Sequence, residues 1–275
     1  MIHDCFTYAG ELELLQLRLQ TLADVVDRFV IAEATRTFTG KPKPLQLDVA
    51  ALGDFASRIE YVVVDDLQAS PASAWDNEYH QRNALARGLH GVSPDDWVLL
   101  SDVDEIPNPL ALPRFRPRRF LSAVLKQPMY YYGFNNLMVR SDNPKDVPWC
   151  VARITTAHRL EHWFGSMQSL RGLRASGPLR SLRRAVNKAL TQTLEEGGWH
   201  FSYLMTPEQI RRKLEAFSHQ ELNLPEVMNE ANIREALLQR RDLFGANRHF
   251  EVVPIDGSFP SPLVADPERY RRWIF

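Results

Sequence analysis

The stretch WVLLSDVDEIPNP (97–109) decides the fold, because an apolar run ends there in a cluster of acids. The run 97–100 predicts a buried strand, and Asp102, Asp104 and Glu105 follow within a few positions. Asp102 and Asp104 would share one face of an extended chain, where like charges repel unless a cation neutralises them. Carboxylate oxygens suit Mg²⁺ or Mn²⁺, and these ions bind diphosphate oxygens. The stretch predicts a metal-binding loop after a strand; a solvated turn is the alternative.

Helical and extended patterns alternate through the first half of the chain. Leucines recur at helical spacing over 11–22, apolar runs over 28–34 and 59–66 predict buried strands, and 73–91 predicts a helix with Ser73 as N-cap. Continuous apolar strands between helices favour an α/β fold, with a mostly parallel central sheet and helices on both faces. In such sheets the ligand binds outside the carboxyl ends of the strands.

The acids should lie on that edge of the sheet. Two prolines, Pro107 and Pro109, follow them, which predicts that regular structure stops after the strand and leaves the acids on a loop.

The second half is less regular. Strands are predicted over 128–139 and 197–205, and helices over 207–222 and 232–245, the last ending at a glycine. Without a repeat, a low-complexity tract or a long linker, we expect a single domain over 1–275. Its first half would reach to about residue 110, with the second following from about 111.

Composition narrows the class of protein. Hydrophobic residues make up 44% of the chain, and 33 basic against 34 acidic residues give a net charge of −1, which argues against a nucleic-acid partner. Cys5 and Cys150 form no CxxC or Cys/His cluster, so two free thiols in a reducing compartment are expected. No targeting segment is visible, and no apolar run approaches the roughly 20 residues of a transmembrane segment. These features predict a soluble, cytoplasmic protein.

Five segments together resemble glycosyltransferase family 17, in the family's order. They are VDRFVIAEATRTFTGKPKPL (26–45), AWDNEYHQR (74–82), LLSDVDEIP (99–107), GGWHFSYL (197–204) and KLEAFSHQELN (213–223). The resemblance implies a GT-A fold, a UDP-sugar donor with UDP-N-acetylglucosamine expected, Mn²⁺ or Mg²⁺ as cofactor, and inversion at the anomeric carbon. The acceptor would be a glycan, glycolipid or glycoprotein. The region 114–196 matches poorly, and acceptor choice is expected there. The resemblance thus implies a nucleotide-binding half up to about residue 110, and an acceptor side with the C-terminal helices from about 111.

The resemblance also suggests a metal site. Asp104 is the expected direct ligand, and Asp102 either a second ligand or a contact to the ribose or a water. Glu105 would hold the loop or a ligated water. His200 resembles the late histidine that completes the metal site in many GT-A enzymes, although a histidine among aromatic residues also suits a core.

Four further residues are candidates for donor binding: Glu33, Thr37, Thr39 and Arg82. Turn chemistry is the alternative for the two threonines, and a solvated helix surface is the alternative for Arg82. The basic residues of 171–188 are expected to form a solvated helix face rather than a site for an anionic acceptor. Trp75 is one of several tryptophans for which core packing is expected and stacking on a sugar ring is the alternative.

An inverting transfer needs a base near the acceptor hydroxyl. In GT-A enzymes that base lies between the acid loop and the late histidine, and several acids fall there. Glu161, beside aromatic residues in AHRLEHWFG (157–165), is our choice; a surface ion pair with His158 or Arg159 is the alternative.

The pattern as a whole predicts a metal-dependent inverting glycosyltransferase. Two other classes would use similar residues. A sugar-phosphate nucleotidyltransferase also needs paired acids and a metal, and a glycan- or nucleotide-binding module would need the pocket without the chemistry.

Overall fold

A computed structural model describes residues 1–174 and 178–275. The strands are β1 Ile2–Thr7, β2 Arg28–Ala34, β3 Ile59–Val64, β4 Trp97–Asp102, β5 Glu105–Pro107, β6 Ser122–Leu125, β7 Met129–Tyr131, β8 Asn136–Arg140, β9 Arg153–Thr156, β10 Thr191–Leu194, β11 Gly198–Ser202 and β12 His249–Val252. The α-helices are α1 Leu12–Leu22, α2 Ala74–Ala84, α3 Ala157–Arg159, α4 Met167–Gly172, α5 Arg180–Ala189, α6 Pro207–Ala216, α7 Pro225–Met228, α8 Glu230–Gln239 and α9 Ser261–Ala265. A π-helical turn, Leu160–Phe164, follows α3.

The central sheet has the strand order β10–β6–β9–β4–β1–β2–β3 in the described part of the chain. β3, β2, β1 and β4 are parallel neighbours, and β10 is parallel to β6. Between the two groups, β9 runs antiparallel to both β4 and β6. The predicted fold class is confirmed: the fold is α/β with a mostly parallel central sheet.

Both faces of this sheet carry helices, because the strand side chains alternate between two apolar layers. Phe29 and Ile31 of β2 face the layer that contains the leucines of α1. Val30 and Ala32 face the other layer, with residues of α2 and α4. The prediction of helices on both faces is therefore confirmed.

A second sheet, ordered β12–β8–β7–β11–β5 among the described strands, adjoins the central one. β5 begins three residues after β4 ends and pairs antiparallel with β11, with Glu105 opposite His200. The prediction that regular structure stops after β4 and leaves all three acids on a loop is wrong for two of them, because Asp102 ends β4 and Glu105 begins β5. The strand β5 ends at Pro107, opposite Gly198. This junction brings the acid loop beside the late histidine.

Several other predictions need correction. The strand predicted over 128–139 is split into β7 and β8 by a turn in which Tyr132 has φ +65°. The helix predicted over 232–245 ends at Gln239, where Arg240 takes the left-handed conformation. The helix predicted from residue 207 ends early, at Ala216. Ser73 caps α2 through a capping box, as predicted.

The chain was not predicted to begin with a strand, yet β1 lies in the middle of the sheet. His3 and Asp4 give β1 a polar pattern that hides a strand from the sequence, although both are fully buried. Within residues 1–174 and 178–275, no helix combines the length and apolar character that a membrane span requires. The division of 1–275 into two functional halves of one domain stays a prediction.

A buried arginine joins α1 to the acid loop. Arg18 is fully buried, and its Nε and Nη2 donate to the carboxylate of Asp4 at 2.7 and 2.6 Å. Nη2 also donates to Ser101 Oγ at 2.6 Å, and Nη1 donates to the carbonyls of Asp102 and Glu105, both at 2.9 Å. Because these bonds grip the backbone on both sides of the loop, α1 fixes the path of the chain from β4 into β5.

Replacing Arg18 should therefore destabilise the protein strongly. Arg18→Met leaves Asp4 as a buried, unpaired charge, and the free energy of unfolding should fall by about 3–5 kcal/mol. Urea unfolding at pH 7 measures the change. Arg271 pairs with Glu268 on the surface, so Arg271→Met is the matched control and should change stability by less than about 0.5 kcal/mol.

The double variant Arg18→Met/Asp4→Asn removes the stranded charge and should regain part of that loss. If the double variant is no more stable than Arg18→Met, the ion pair is not what holds this junction together.

Candidate functional site

The carboxyl ends of β1 and β4 open into a cleft of about 510 Å³ that is also lined by residues of α2, α4 and α6. Charged side chains dominate its polar lining among the described residues: the acids Glu11, Glu78, Asp102 and Asp104, and the cations Arg82, Arg171, Arg174 and Lys213. A second cavity of about 420 Å³ adjoins it and shares Glu11 and Lys213 as lining residues. The predicted location, at the carboxyl edge of the parallel strands, agrees with the cleft.

Two of the three loop acids are paired with arginines. Arg171, on α4, donates to Asp102 Oδ2 at 2.7 Å and to both oxygens of Glu105 at 2.8 Å. Arg82, on α2, donates to Asp102 Oδ1 at 3.3 Å and to Glu78 at 2.9 Å. Burial raises the pKa of Asp102, but Arg171 and Arg82 outweigh it and hold that pKa well below its usual range. The charge repulsion in this loop is therefore compensated by the protein itself.

The third acid faces a different set of groups. Asp104 Oδ2 lies 3.6 Å from His200 Nε2 and 3.9 Å from Lys213 Nζ. Burial raises the pKa of Asp104, but His200 and Lys213 together lower it. Lys213 also lies 3.6 Å from Glu11, so its ammonium group is between the loop acid and an acid of the α1 N-terminus.

The predicted metal ligands Asp102, Asp104 and His200 do not converge on one point. In the described residues no three His, Cys, Asp or Glu side chains lie close enough to hold a metal ion. Asp102 turns to the arginines, which leaves the Asp104 carboxylate and the His200 imidazole as a pair. One carboxylate and one imidazole suit Mn²⁺ when substrate oxygens supply the other ligands. His200 Nδ1 is buried without a hydrogen-bond partner in the described residues.

Glu105 holds the loop, which was one of its two predicted roles. Its side chain is 1% exposed, and its Oε2 accepts the backbone N–H of Asp102 at 2.9 Å. Its Oε1 accepts Trp149 Nε1–H at 2.6 Å, and the Trp149 ring lies 4.9 Å from that of His200. Glu105 thus ties the loop to α4 and to the histidine without facing the cleft.

Glu33 lies away from the cleft. It is fully buried, and its carboxylate accepts the backbone N–H groups of Gln46 and Leu47 at 2.8 and 3.0 Å and the Tyr61 hydroxyl at 2.9 Å. Lys43 Nζ lies 3.3 Å from it. Any effect of Glu33 on donor binding is therefore indirect, through the chain from 43 to 47 that forms part of the second cavity.

The other predicted donor residues divide between the two cavities. Arg82 lines the main cleft. Thr37 lines the second cavity, and its hydroxyl lies 2.9 Å from that of Thr39, which lines neither. Turn chemistry therefore accounts for Thr39, and in the main cleft the structure brings Arg82 together with Asp102.

Glu161 is not in the cleft. Its side chain is 76% exposed and pairs with His162 at 3.6 Å, rather than with His158 or Arg159. Strand β9 is antiparallel to β4 and ends opposite Trp97, the first residue of β4. The π-helical turn that contains Glu161 therefore follows from the end of the sheet where β4 begins, whereas Asp102 lies where β4 ends. Glu161 therefore cannot take a proton from an acceptor at the acid loop, and this assignment is corrected.

Sequence reasoning missed several residues of the site: Glu11, Glu78, Arg171 and Lys213. Arg171 is one of several arginines in the basic segment 171–188. The sequence of that segment does not distinguish it as the arginine that is buried against Asp102 and Glu105. Residues 175–177 of the same segment lie outside the described residues.

Comparison with known proteins agrees with this geometry. Residues 1–143 match the family model described as Glycosyltransferase family 17. The chain belongs to glycosyltransferase family 17. The resemblance seen in the sequence is thereby confirmed.

Curated relatives of this family 17 chain include a beta-1,4-mannosyl-glycoprotein 4-beta-N-acetylglucosaminyltransferase from Homo sapiens and its counterpart from Rattus norvegicus. Each is 28% identical over 229 residues, covering 74% of this chain and 40% of the relative. The chain thus spans about 40% of the length of these relatives.

Solved structures give more distant likenesses. The glycosyltransferase GlyE of Streptococcus pneumoniae TIGR4 is 11% identical with a TM-score of 0.35, over 71% of this chain and 45% of that one. A 4-diphosphocytidyl-2C-methyl-D-erythritol synthase is 13% identical with a TM-score of 0.38, over 76% and 94%. Likenesses this distant say nothing further about the family 17 chain.

The pairing of Asp102 predicts how stability depends on pH. Because the pKa of Asp102 is lowered in the folded state, its contribution is present above the unfolded value of about 3.9 and is lost as pH falls through the folded value. Asp102→Asn should lower stability at pH 7 and flatten its decline below about pH 4. Urea unfolding at several pH values measures this, with the exposed Asp24→Asn as control. An unchanged acid slope in Asp102→Asn would mean that the arginines do not stabilise this carboxylate.

Proposed function

We propose that the chain is an inverting glycosyltransferase of GT-A type that transfers N-acetylglucosamine from its UDP donor to a hydroxyl of a glycan, glycolipid or glycoprotein. The observation that carries the proposal is the charged cleft at the ends of β1 and β4. Three arginines and Lys213 line it together with Asp104, and His200 lies 3.6 Å from the Asp104 carboxylate. Family membership and the activity for which the curated relatives are named support the sugar and the type of transfer.

The charge balance of the cleft supports a divalent cofactor. Among the described residues, its four acids and four cations compensate one another before any ligand binds. A diphosphate would add negative charge to a site that has no surplus of cations, so a cation entering with the donor would restore the balance. Asp104 and His200 would hold Mn²⁺ or Mg²⁺, which supplies charge stabilisation for the leaving diphosphate when bound.

The arginines of the cleft would bind and orient the diphosphate. Arg82 and Arg171 are already held in place by Asp102, Glu78 and Glu105. Such preorganised donors cost little reorganisation when charge develops on the leaving group. We assign Asp102 to this task, as the residue that positions the arginines, rather than to direct metal binding.

The site of action is also a proposal. We propose that the protein acts in a reducing, cytoplasmic compartment. This proposal is based on Cys5 and Cys150, which are both free thiols in the described part of the chain, because thiols stay reduced in such a compartment.

Nucleotide binding should depend on the metal. UDP at a hundredfold excess over its Kd should stabilise the protein by about 2.7 kcal/mol when Mn²⁺ is present, and much less in chelator. Urea unfolding with and without each ligand measures this. Equal stabilisation by UDP in chelator would contradict a metal bridge, and preferential stabilisation by CTP with Mn²⁺ would favour a nucleotidyltransferase instead.

Loss of either metal ligand should impair transfer without unfolding the protein, and Asp104→Asn should abolish it. Asp104→Asn keeps the shape of the side chain but removes the charge that the ion needs. His200→Ala should weaken Mn²⁺-dependent UDP binding by about tenfold or more. Calorimetric titration with UDP and Mn²⁺ measures the affinity, and release of UDP from UDP-N-acetylglucosamine measures turnover. His90 is a surface histidine, 67% exposed, and His90→Ala is the control; wild-type affinity in His200→Ala would remove His200 from the metal site.

A further inference from the structure

Aromatic side chains from two segments form one wall of the cleft. Trp75 and Tyr79 lie one turn apart on α2 with their ring centres 5.9 Å apart. The His219 ring packs edge-on against Trp75 at 4.5 Å, and Phe217 lies 5.6 Å from His219. All four side chains line the cleft that contains the acid loop. The imidazole of His219 is therefore held at the cleft by its neighbours on either side.

A carboxylate fixes the tautomer of that imidazole. His219 Nδ1 lies 2.6 Å from Glu221 Oε1. An ionised carboxylate only accepts hydrogen bonds, so Nδ1 is the nitrogen that carries the proton in the neutral ring, and Nε2 then has a free lone pair. The hydrogen bond from His219 lowers the pKa of Glu221, which keeps that carboxylate ionised. Within residues 1–174 and 178–275, Nε2 makes no hydrogen bond.

The acids of the cleft are less suited to accept a proton. Glu78 is bound by Arg82 at 2.9 Å and by the Ser218 hydroxyl. Glu11 accepts a backbone N–H at 2.9 Å and lies 3.6 Å from Lys213. A nearby cation stabilises the ionised form of a carboxylate, and the carboxylate is therefore a weaker base. An imidazole with a free nitrogen and a carboxylate on the other nitrogen is the arrangement that general-base catalysis uses.

We propose that His219, oriented by Glu221, is the base that takes the proton from the acceptor hydroxyl. The inference rests on the proposed function. The acceptor O–H bond breaks as its proton moves to Nε2, and the acceptor oxygen forms a bond to the anomeric carbon of the donor. The bond from that carbon to the diphosphate oxygen breaks, and its electron pair leaves with UDP. Glu221 is a positioning residue that stabilises the imidazolium formed.

The test compares two nucleophiles that differ in their need for a base. Water must lose a proton to attack the donor, whereas azide already carries its charge. Release of UDP from UDP-N-acetylglucosamine with Mn²⁺ is measured in water alone and with added azide, on the wild type, His219→Ala and Glu221→Gln. Calorimetric titration with UDP and Mn²⁺ on the same proteins reports whether donor binding is intact.

His162 supplies a matched control. It also lies beside a glutamate, Glu161, at 3.6 Å, but it does not line the cleft. His162→Ala should behave as the wild type in every measurement. His219→Ala should lose about 10²- to 10⁴-fold in the reaction with water, while its azide reaction and UDP affinity stay near those of the wild type. Glu221→Gln should lose less, because the imidazole and its packing against Trp75 remain.

Each other result counts against a specific part of the proposal. Equal loss of the water and azide reactions in His219→Ala would make His219 a packing residue, and an unchanged water reaction would exclude it as the base. A wild type that binds no UDP, or releases none with either nucleophile, would overturn the proposed function itself and this inference with it.

Discussion

Buried between α1 and the central sheet, Arg18 holds both ends of the acid loop. Its guanidinium is charge-paired with Asp4 on β1 and donates to the carbonyls of Asp102 and Glu105. A buried ion pair adds little stability over an apolar core, but it demands one geometry, because either charge alone is costly to bury. The geometry that Arg18 requires fixes where the chain leaves β4 and enters β5. The acids of the cleft loop are positioned by this junction.

The loop that Arg18 fixes separates the acids into two settings. Asp102 and Glu105 face Arg171, whereas Asp104 faces His200 and Lys213. The sequence suggested a metal ion because the loop acids repel one another, but in the structure arginines neutralise this repulsion. A divalent cation would instead balance the charge of the ligand, since a diphosphate would add negative charge to a cleft whose acids and cations already balance.

The junction between the two sheets completes the site. β5 pairs with β11 so that Glu105 lies opposite His200, and Trp149 links the two by a hydrogen bond to Glu105 and a ring contact to His200. The second half of the chain therefore contributes Lys213, Phe217 and His219 to a cleft whose acids come from the first half, and it places His200 beside Asp104. A site built in this way depends on the docking of both sheets.

The sequence by itself determined the α/β class, β2 to β4, α2 with its Ser73 cap, and the position of the acid loop, because each depends on local periodicity or on capping within a few residues. Tertiary structure alone decided which groups those acids meet. Arg82 and Arg171 are 20 and 69 residues from Asp102 in the chain, and β1 carries a buried charge that hides it as a strand. Because β9 is antiparallel to β4, Glu161 lies at the end of the sheet opposite to the acid loop. Long-range charge pairing and strand direction follow from the topology of the fold. Local sequence patterns do not report that topology for residues as far apart as Asp102 and Arg171, which are separated by 69 positions.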